Sequence, residues 1–129
     1  MTAPRQTDAH DRRVLVVDDD PDMLHIIRGV LQDEGFSVAT AGDGGLALSV
    51  ARREPPDLAV LDYTLPMLDS RQLAARLREL RGAALPVLVI TADGQAADKA
   101  RRLGAYAYLR KPFELGELLA AVRRGFGAD

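Results

Sequence analysis

The sequence predicts an α/β fold: a doubly wound, five-stranded parallel sheet with helices on both faces, in a (βα)5 order. Five short apolar runs carry this prediction, and they lie at 14–17, 36–41, 58–61, 85–90 and 106–109. The stretches between them show the spacing of amphipathic helices. Strands that alternate with helices favour right-handed crossovers, and these produce a parallel sheet covered on both faces.

The first predicted helix has the clearest pattern. Its apolar residues recur three and four positions apart, as the buried face of a helix requires. Pro21 suits its first turn, and Gly35 suits its end. The third and fifth helices show the same spacing. The apolar residues of these three helices are Met23, Ile26, Ile27, Val30 and Leu31; Leu73, Leu77 and Leu80; and Leu115, Leu118, Leu119, Val122 and Phe126.

Length and composition fit a single domain. The chain has 129 residues, of which 47% are hydrophobic, and this is enough apolar material for one core. We expect the domain to span residues 13–126. Residues 1–12 are polar and are expected to form a disordered leader, with residues 127–129 as a short tail.

Charge and composition argue against several classes of function. The formal net charge is −2 and both signs are scattered along the chain, so direct nucleic-acid binding is not expected. The absence of cysteine excludes disulfides and thiolate metal sites. No apolar segment approaches the roughly 18 residues of a membrane span, and the first residues lack the apolar stretch of a secretory signal. We therefore expect a cytoplasmic protein without membrane contact.

Polar residues follow four of the predicted strands. Three aspartates, at 18–20, follow the first strand, and Asp62 ends the third. Thr91 ends the fourth strand, and Lys111 follows the fifth. Ligands of parallel α/β sheets bind outside the carboxyl ends of the strands, so these distant residues are expected to converge on one site.

The types of residue at these strand ends indicate metal-assisted phosphate chemistry. A carboxylate such as Asp62 can attack phosphorus only if the repulsion between the two anions is neutralised by a cation. Asp18 and Asp19 offer the few oxygen ligands that Mg²⁺ prefers. Lys111 could pair with Asp62 and later with a phosphoryl oxygen, and the Thr91 hydroxyl could donate to the same oxygen.

Taken together, these residues resemble the receiver domain of two-component response regulators, over about residues 13–126. Acids, aspartate, threonine and Lys-Pro in this order at four strand ends are jointly specific. The segments that carry the resemblance are Val16-Val17-Asp18-Asp19-Asp20, Leu61-Asp62, Leu65-Pro66, Asp69, Thr91-Ala92 and Lys111-Pro112-Phe113.

The resemblance implies a flavodoxin-like fold and a regulatory function. A sensor histidine kinase or phosphotransfer protein would donate a phosphoryl group to Asp62, with Mg²⁺ bound. Asp19 would then bind the metal directly, Asp18 through water, and Thr64 through its backbone carbonyl. The chain would be a regulatory phosphoacceptor, catalysing only its own phosphorylation and dephosphorylation.

The resemblance also implies a route to the output. Tyr108 would turn inward when Thr91 moves towards the phosphoryl group, although Tyr108 could also be an ordinary strand aromatic. The surface of helix four, strand five and helix five would then bind a downstream protein or a second copy of the chain. The Lys111-Pro112 peptide bond would be cis.

Two features depart from typical receivers. Ser70 stands where glycine usually follows the acid that matches Asp69, so the turn must form without the conformational freedom of glycine. The segment from Thr91 to Lys111 is a couple of residues short, and Gly94 falls near the expected start of helix four. That helix is expected to be short, shifted or mobile.

Other interpretations remain open from the sequence. A phosphatase of the haloacid dehalogenase type also uses an aspartate at a strand end with Mg²⁺, and Asp18 and Asp20 have its D-x-D spacing. That interpretation leaves Asp62 unexplained. A flavodoxin-like binder of small ligands would need a phosphate-cradling loop after strand one, where this chain has acids. Asp20 and Asp69 are more simply helix N-caps than ligands.

Overall fold

The computed structural model describes residues 12–63, 69–92 and 94–127. Within them, strands and helices alternate along the chain. The strands are β1 (Arg13–Val17), β2 (Ser37–Ala41), β3 (Leu58–Asp62), β4 (Val87–Thr91) and β5 (Ala107–Arg110). The helices are α1 (Pro21–Asp33), α2 (Gly44–Arg53), α3 (Ser70–Arg81), α4 (Ala96–Leu103) and α5 (Leu115–Gly125).

All five strands form one parallel sheet in the order β2-β1-β3-β4-β5. The predicted fold class is therefore confirmed. Strands β2, β4 and β5 begin one or two residues later than the apolar runs that predicted them. The extra residues Phe36 and Leu85 are buried all the same, because they join the core from the turns that lead into the sheet.

The sheet separates two layers of apolar side chains. Successive residues of a strand face opposite sides, so Leu15 and Val17 pack into one layer while Val14 and Val16 pack into the other. The first layer contains the buried faces of α2, α3 and α4, and the second contains those of α1 and α5. Both faces of the central strands are therefore covered, which explains their continuous apolar sequences.

The two aspartates that the sequence predicts as helix N-caps, Asp20 and Asp69, both have this role. Asp20 accepts hydrogen bonds from the backbone N–H groups of Asp22 and Met23 at the start of α1. Asp69 accepts one from Gln72 at the start of α3. Both carboxylates therefore satisfy backbone donors that the first turn of a helix leaves without partners.

Helix α4 has eight residues and begins after Gly94, in agreement with the expectation of a short helix. Its buried face consists of Ala96, Ala100 and Leu103. Three apolar positions predicted to face the core elsewhere are 47%, 43% and 40% exposed, namely Ile26, Leu80 and Leu115. Leu80 lies in the last turn of α3 and Leu115 in the first turn of α5, so the helical spacing continues beyond the covered length of each helix. Ile26 lies one position before the buried Ile27, and each successive residue of a helix is rotated by about 100°, so its side chain lies beside the buried face of α1 rather than within it. None of the helices described here has the length and apolar character needed to cross a membrane.

Candidate functional site

Three carboxylates meet at the carboxyl edge of the sheet. Asp18 follows β1 directly and is buried, Asp19 is exposed, and Asp62 ends β3 with 6% of its surface accessible. One carboxylate oxygen from each of the three lies within 4.8 Å of the others. The parallel register explains this proximity, because β1 and β3 are neighbours and end at the same level.

Asp18 is held by contacts on both of its oxygens. Oδ1 accepts a hydrogen bond of 3.0 Å from the backbone N–H of Asp20, and Oδ2 accepts one of 2.9 Å from Nζ of Lys111. A buried carboxylate requires such partners to offset its lost hydration. Asp18 is therefore fixed in orientation beside Asp62.

Lys111 brings a positive charge to this acidic cluster. Its backbone N–H donates to the carbonyl of Thr91 at 2.8 Å, and the Lys111-Pro112 peptide bond is cis, as the resemblance implies. Nζ lies 2.9 Å from Asp18 Oδ2 and 3.4 Å from Asp62 Oδ2. Burial alone would lower the pKa of Lys111, but the hydrogen bonds and charges of Asp18 and Asp62 outweigh burial and raise it. The ammonium form is therefore favoured at this position.

Thr91 and Tyr108 lie on neighbouring strands but in different environments. Thr91 is buried at the end of β4, opposite Arg110 of β5. Tyr108 is opposite Val89 and is 43% exposed. Its side chain lies beside a shallow surface groove whose other lining residues are Ala97, Ala100, Arg101, Ala105, Tyr106 and Ala107. Tyr108 therefore faces outward in this structure.

Comparison with known proteins assigns the family. The sequence model of the response regulator receiver domain matches residues 14–123 of this chain. The chain belongs to this family. It is thus a regulatory receiver domain of the two-component type rather than a classical enzyme.

Individual relatives agree with this assignment. The DNA-binding response regulator MtrA of Mycolicibacterium smegmatis is 40% identical over 118 residues, covering 90% of this chain and 51% of MtrA. An uncharacterised 14.6 kDa protein of Leptolyngbya boryana is 41% identical over 114 residues, covering 86% of this chain and 87% of that protein. The chain spans about half the length of several curated relatives, MtrA among them.

Solved structures give the same fold. The chemotaxis protein CheY4 of Vibrio cholerae superposes with a TM-score of 0.79 at 29% sequence identity, covering 87% of this chain and 96% of that one. The haloacid dehalogenase alternative is not supported. The side chain of Asp20, which its D-x-D spacing requires in the site, caps α1 instead.

The donor set of the receiver domain suits a hard divalent cation. The three clustered side chains offer carboxylate oxygens alone, and one of them is exposed to solvent. Mg²⁺ prefers a few carboxylates together with retained waters, and such an arrangement has room for both. The cluster therefore fits the metal that the family typically binds. The predicted carbonyl ligand, Thr64, lies outside the described residues.

Ser70 has contacts at the site that the sequence did not predict. In the sequence, Ser70 stands out only because glycine is usual at its position. In the structure, its hydroxyl oxygen lies 2.7 Å from the backbone oxygens of both Asp62 and Tyr63. Lys99 of α4 also reaches the end of β3, where its ammonium group lies 4.8 Å from the centre of the Tyr63 ring. The one signal in the sequence for the contacts of Ser70 is its hydroxyl, at a position where glycine is usual.

Proposed function

We propose that this receiver domain accepts a phosphoryl group on Asp62, in a Mg²⁺-dependent reaction, from a sensor histidine kinase or a phosphotransfer protein. The observation that supports this most directly is the position of the Asp62 carboxylate beside Asp18, Asp19 and Lys111. Among the residues that the structure describes, Asp18, Asp19 and Asp62 form a group of three acids whose carboxylate oxygens lie close enough to share a metal ion.

The transfer itself is a displacement at phosphorus. An oxygen of Asp62 forms the new bond to phosphorus, while the bond from phosphorus to the imidazole nitrogen of the donor breaks. Attack by one anion on another is slow unless their repulsion is neutralised, and bound Mg²⁺ would supply this neutralisation. Asp18, Asp19 and Asp62 would hold the ion, with the carbonyl of Thr64 as a proposed fourth protein ligand.

Lys111 and Thr91 would act on the product. Nζ of Lys111 contacts both buried carboxylates, so a short movement would bring it to a phosphoryl oxygen on Asp62. Thr91 ends the strand next to β3 and would donate its hydroxyl to another phosphoryl oxygen. These two contacts exist only in the phosphorylated state and can therefore shift a conformational equilibrium.

We infer that the surface of α4, β5 and α5 carries the output, with Tyr108 turning inward as Thr91 moves. Tyr108 is exposed beside the groove along α4, so it has room to change its position. The output would be binding of a downstream protein or of a second copy of the chain.

Absence of direct nucleic-acid binding stays a prediction for this chain, because MtrA is named as DNA-binding and is about twice as long. Cytoplasmic localisation likewise stays a prediction.

The test is phosphorylation by acetyl phosphate with Mg²⁺, followed by mass spectrometry of the intact protein and its peptides. The wild-type chain should gain one phosphoryl group, and Asp62→Asn should gain none. Asp20→Asn is the matched control, because asparagine caps a helix as well as aspartate does and the backbone N–H of this residue contacts Asp18 of the cluster. Equal labelling of wild type and Asp62→Asn would refute the proposal.

A further inference from the structure

Ser70 lies where α3 begins, next to the end of β3. Only 1% of the residue is exposed. Side chains in the first turn of a helix lean towards its N-terminus, and the hydroxyl of Ser70 extends in this direction to the backbone of Asp62 and Tyr63. A residue eight positions away in sequence thus touches the main chain of the proposed phosphoacceptor.

The same stretch of main chain is held from the side of β4. The N–H of Tyr63 donates to the carbonyl of Ile90 at 2.9 Å, whereas the register of β3 with β1 ends at Leu61 opposite Val17. Pairing with β1 therefore stops one residue before Asp62. Ser70 provides a hydrogen-bond donor to the carbonyl oxygens just beyond this point.

We propose that Ser70 is a positioning residue for Asp62. This inference rests on the proposed function, since it assumes that Asp62 is the phosphoacceptor. A carbonyl held by a hydrogen bond fixes the rotation of its peptide plane, and this rotation sets the direction in which the Asp62 carboxylate leaves the main chain. Ser70 thereby holds the nucleophile at a fixed angle to Asp18, Asp19 and Lys111 without touching the phosphoryl group.

The hydroxyl is the part of Ser70 that this role requires. It has one hydrogen for two acceptors, both at 2.7 Å, so the two carbonyl oxygens share a single donor. Alanine would keep the helix start and remove the donor, whereas glycine would remove the donor and the Cβ together. Threonine would restore the hydroxyl at the same position. These three variants separate the hydroxyl from the rest of the side chain.

The experiment measures two first-order rate constants in Ser70→Ala, Ser70→Gly and Ser70→Thr. One is phosphorylation at saturating acetyl phosphate and Mg²⁺, and the other is hydrolysis of the phosphorylated protein after the donor is removed. Both depend on the angle of the Asp62 carboxylate, so Ala and Gly should lower both by about two- to tenfold, the range for losing one hydrogen bond. Threonine should stay within about twofold of wild type. Ser49→Ala, an exposed serine in α2, is the control and should change neither constant.

A purely structural role would lower the folded fraction, and hence the extent of labelling, without changing first-order constants of the folded protein. Circular dichroism reports that fraction, and Ser70→Gly decides the question if Ser70→Ala does not fold. Unchanged constants in a folded Ala or Gly variant, or equal losses in Ala and Thr, would overturn the inference while the proposed function stands. A wild-type chain that gains no phosphoryl group on Asp62 would overturn both.

Discussion

The ammonium group of Lys99 lies over the ring of Tyr63, with 4.8 Å between the nitrogen and the ring centre. Lys99 belongs to α4, and Tyr63 directly follows Asp62. The contact therefore joins the helix proposed to carry output to the residue next to the proposed phosphoacceptor.

We predict that this half-buried pair contributes about 0.5–1 kcal/mol to the free energy of unfolding, towards the exposed end of the range for cation–π contacts. The measurement is a double-mutant cycle in urea with Lys99→Met and Tyr63→Leu, which separates the pair from other interactions of Lys99. A second cycle starts from the Tyr63→Phe protein and combines Lys99→Met with replacement of Phe by Leu at position 63. It should give the same coupling energy, because phenylalanine keeps the ring. A coupling energy of zero would mean that the two groups are neighbours without attraction.

Gly125 leaves space that the adjacent side chains occupy. A Cβ atom at this position would lie 2.4 Å from Leu58 Cδ1 and 2.5 Å from the Tyr106 hydroxyl oxygen. Leu58 is fully buried, and the Tyr106 hydroxyl donates to the carbonyl of Ala121 at 2.7 Å, so neither can move freely. Gly125→Ala should therefore lower the free energy of unfolding by about 1–3 kcal/mol.

The control for this prediction is Gly29→Ala, in the interior of α1, where an added Cβ meets no atom within 4 Å. It should raise the free energy of unfolding by about 0.5–1 kcal/mol, because alanine favours a helix. Chemical denaturation of both variants makes the comparison. Stabilisation by Gly125→Ala would show that the contacts of Tyr106 rearrange at little cost.

Stability should fall at alkaline pH for two separable reasons. Burial alone would lower the pKa of Lys111, but the hydrogen bonds and charges of Asp18 and Asp62 together raise it above its ordinary 10.5. Burial raises the pKa of Tyr106 above its ordinary 10.0, with the charge of Arg124 opposing. A raised pKa in the folded state means that the folded state binds the proton more tightly. Both contributions are complete below about pH 10 and are lost as the pH rises through the folded values.

Urea denaturation in metal-free buffer between pH 8 and the alkaline limit tests this prediction. Tyr106→Phe should remove the tyrosine part of the slope, and Lys111→Met should remove the lysine part. If stability rose with pH in this range, both directions would be wrong.

Mg²⁺ should stabilise the folded domain by mass action, because its proposed site, the cluster of Asp18, Asp19 and Asp62, exists only when the strands are assembled. We expect the unfolding temperature to rise with Mg²⁺ concentration in wild type and in Asp20→Asn. The rise should be absent in Asp19→Asn, which removes a proposed ligand at an exposed position. A larger effect of Asp20→Asn than of Asp19→Asn would place the ion elsewhere.

Thr91→Ala should separate phosphorylation from output. We expect it to accept a phosphoryl group on Asp62 but to lose the change in amide exchange that a beryllofluoride mimic causes at residues 94–126. Thr40→Ala, a partly buried threonine of β2, is the matched control and should respond as wild type does. Protection changes confined to the loops around Asp62 in the wild-type protein would exclude a switch through α4, β5 and α5.

The fold and the proximity of Asp18, Asp19 and Asp62 were predictable, because both depend on the order of strands and helices along the chain. Apolar runs that alternate with helical spacing specify a parallel sheet, and such a sheet places the ends of β1 and β3 side by side. The closer approach of Lys111 to Asp18 than to Asp62 was not predictable. This preference depends on side-chain rotamers, and the two distances from Nζ of Lys111, 2.9 Å to Asp18 and 3.4 Å to Asp62, differ by only half an ångström.

Ser70 and α4 show two further limits of the sequence. The contacts of Ser70 depend on how the chain returns from β3 to α3, and the residue type alone does not specify that path. Helix α4 buries two alanines and one leucine, so its apolar pattern is too weak to fix its bounds. Its existence was predicted from the alternation of the elements around it.

The two ends of α3 touch different partners. Ser70, at its start, bonds the main chain of Asp62, and Arg78 donates to the carbonyl oxygens of Leu103 and Gly104 at the end of α4. Eight residues of helix, about 12 Å, separate these positions. Helix α3 thus connects the main chain of the proposed phosphoacceptor to the C-terminal end of α4. This connection is separate from the proposed coupling of Asp62 to α4 and β5 through Thr91. A substitution that shortens or bends α3 should therefore alter the resting angle of α4 even in a chain that carries no phosphoryl group.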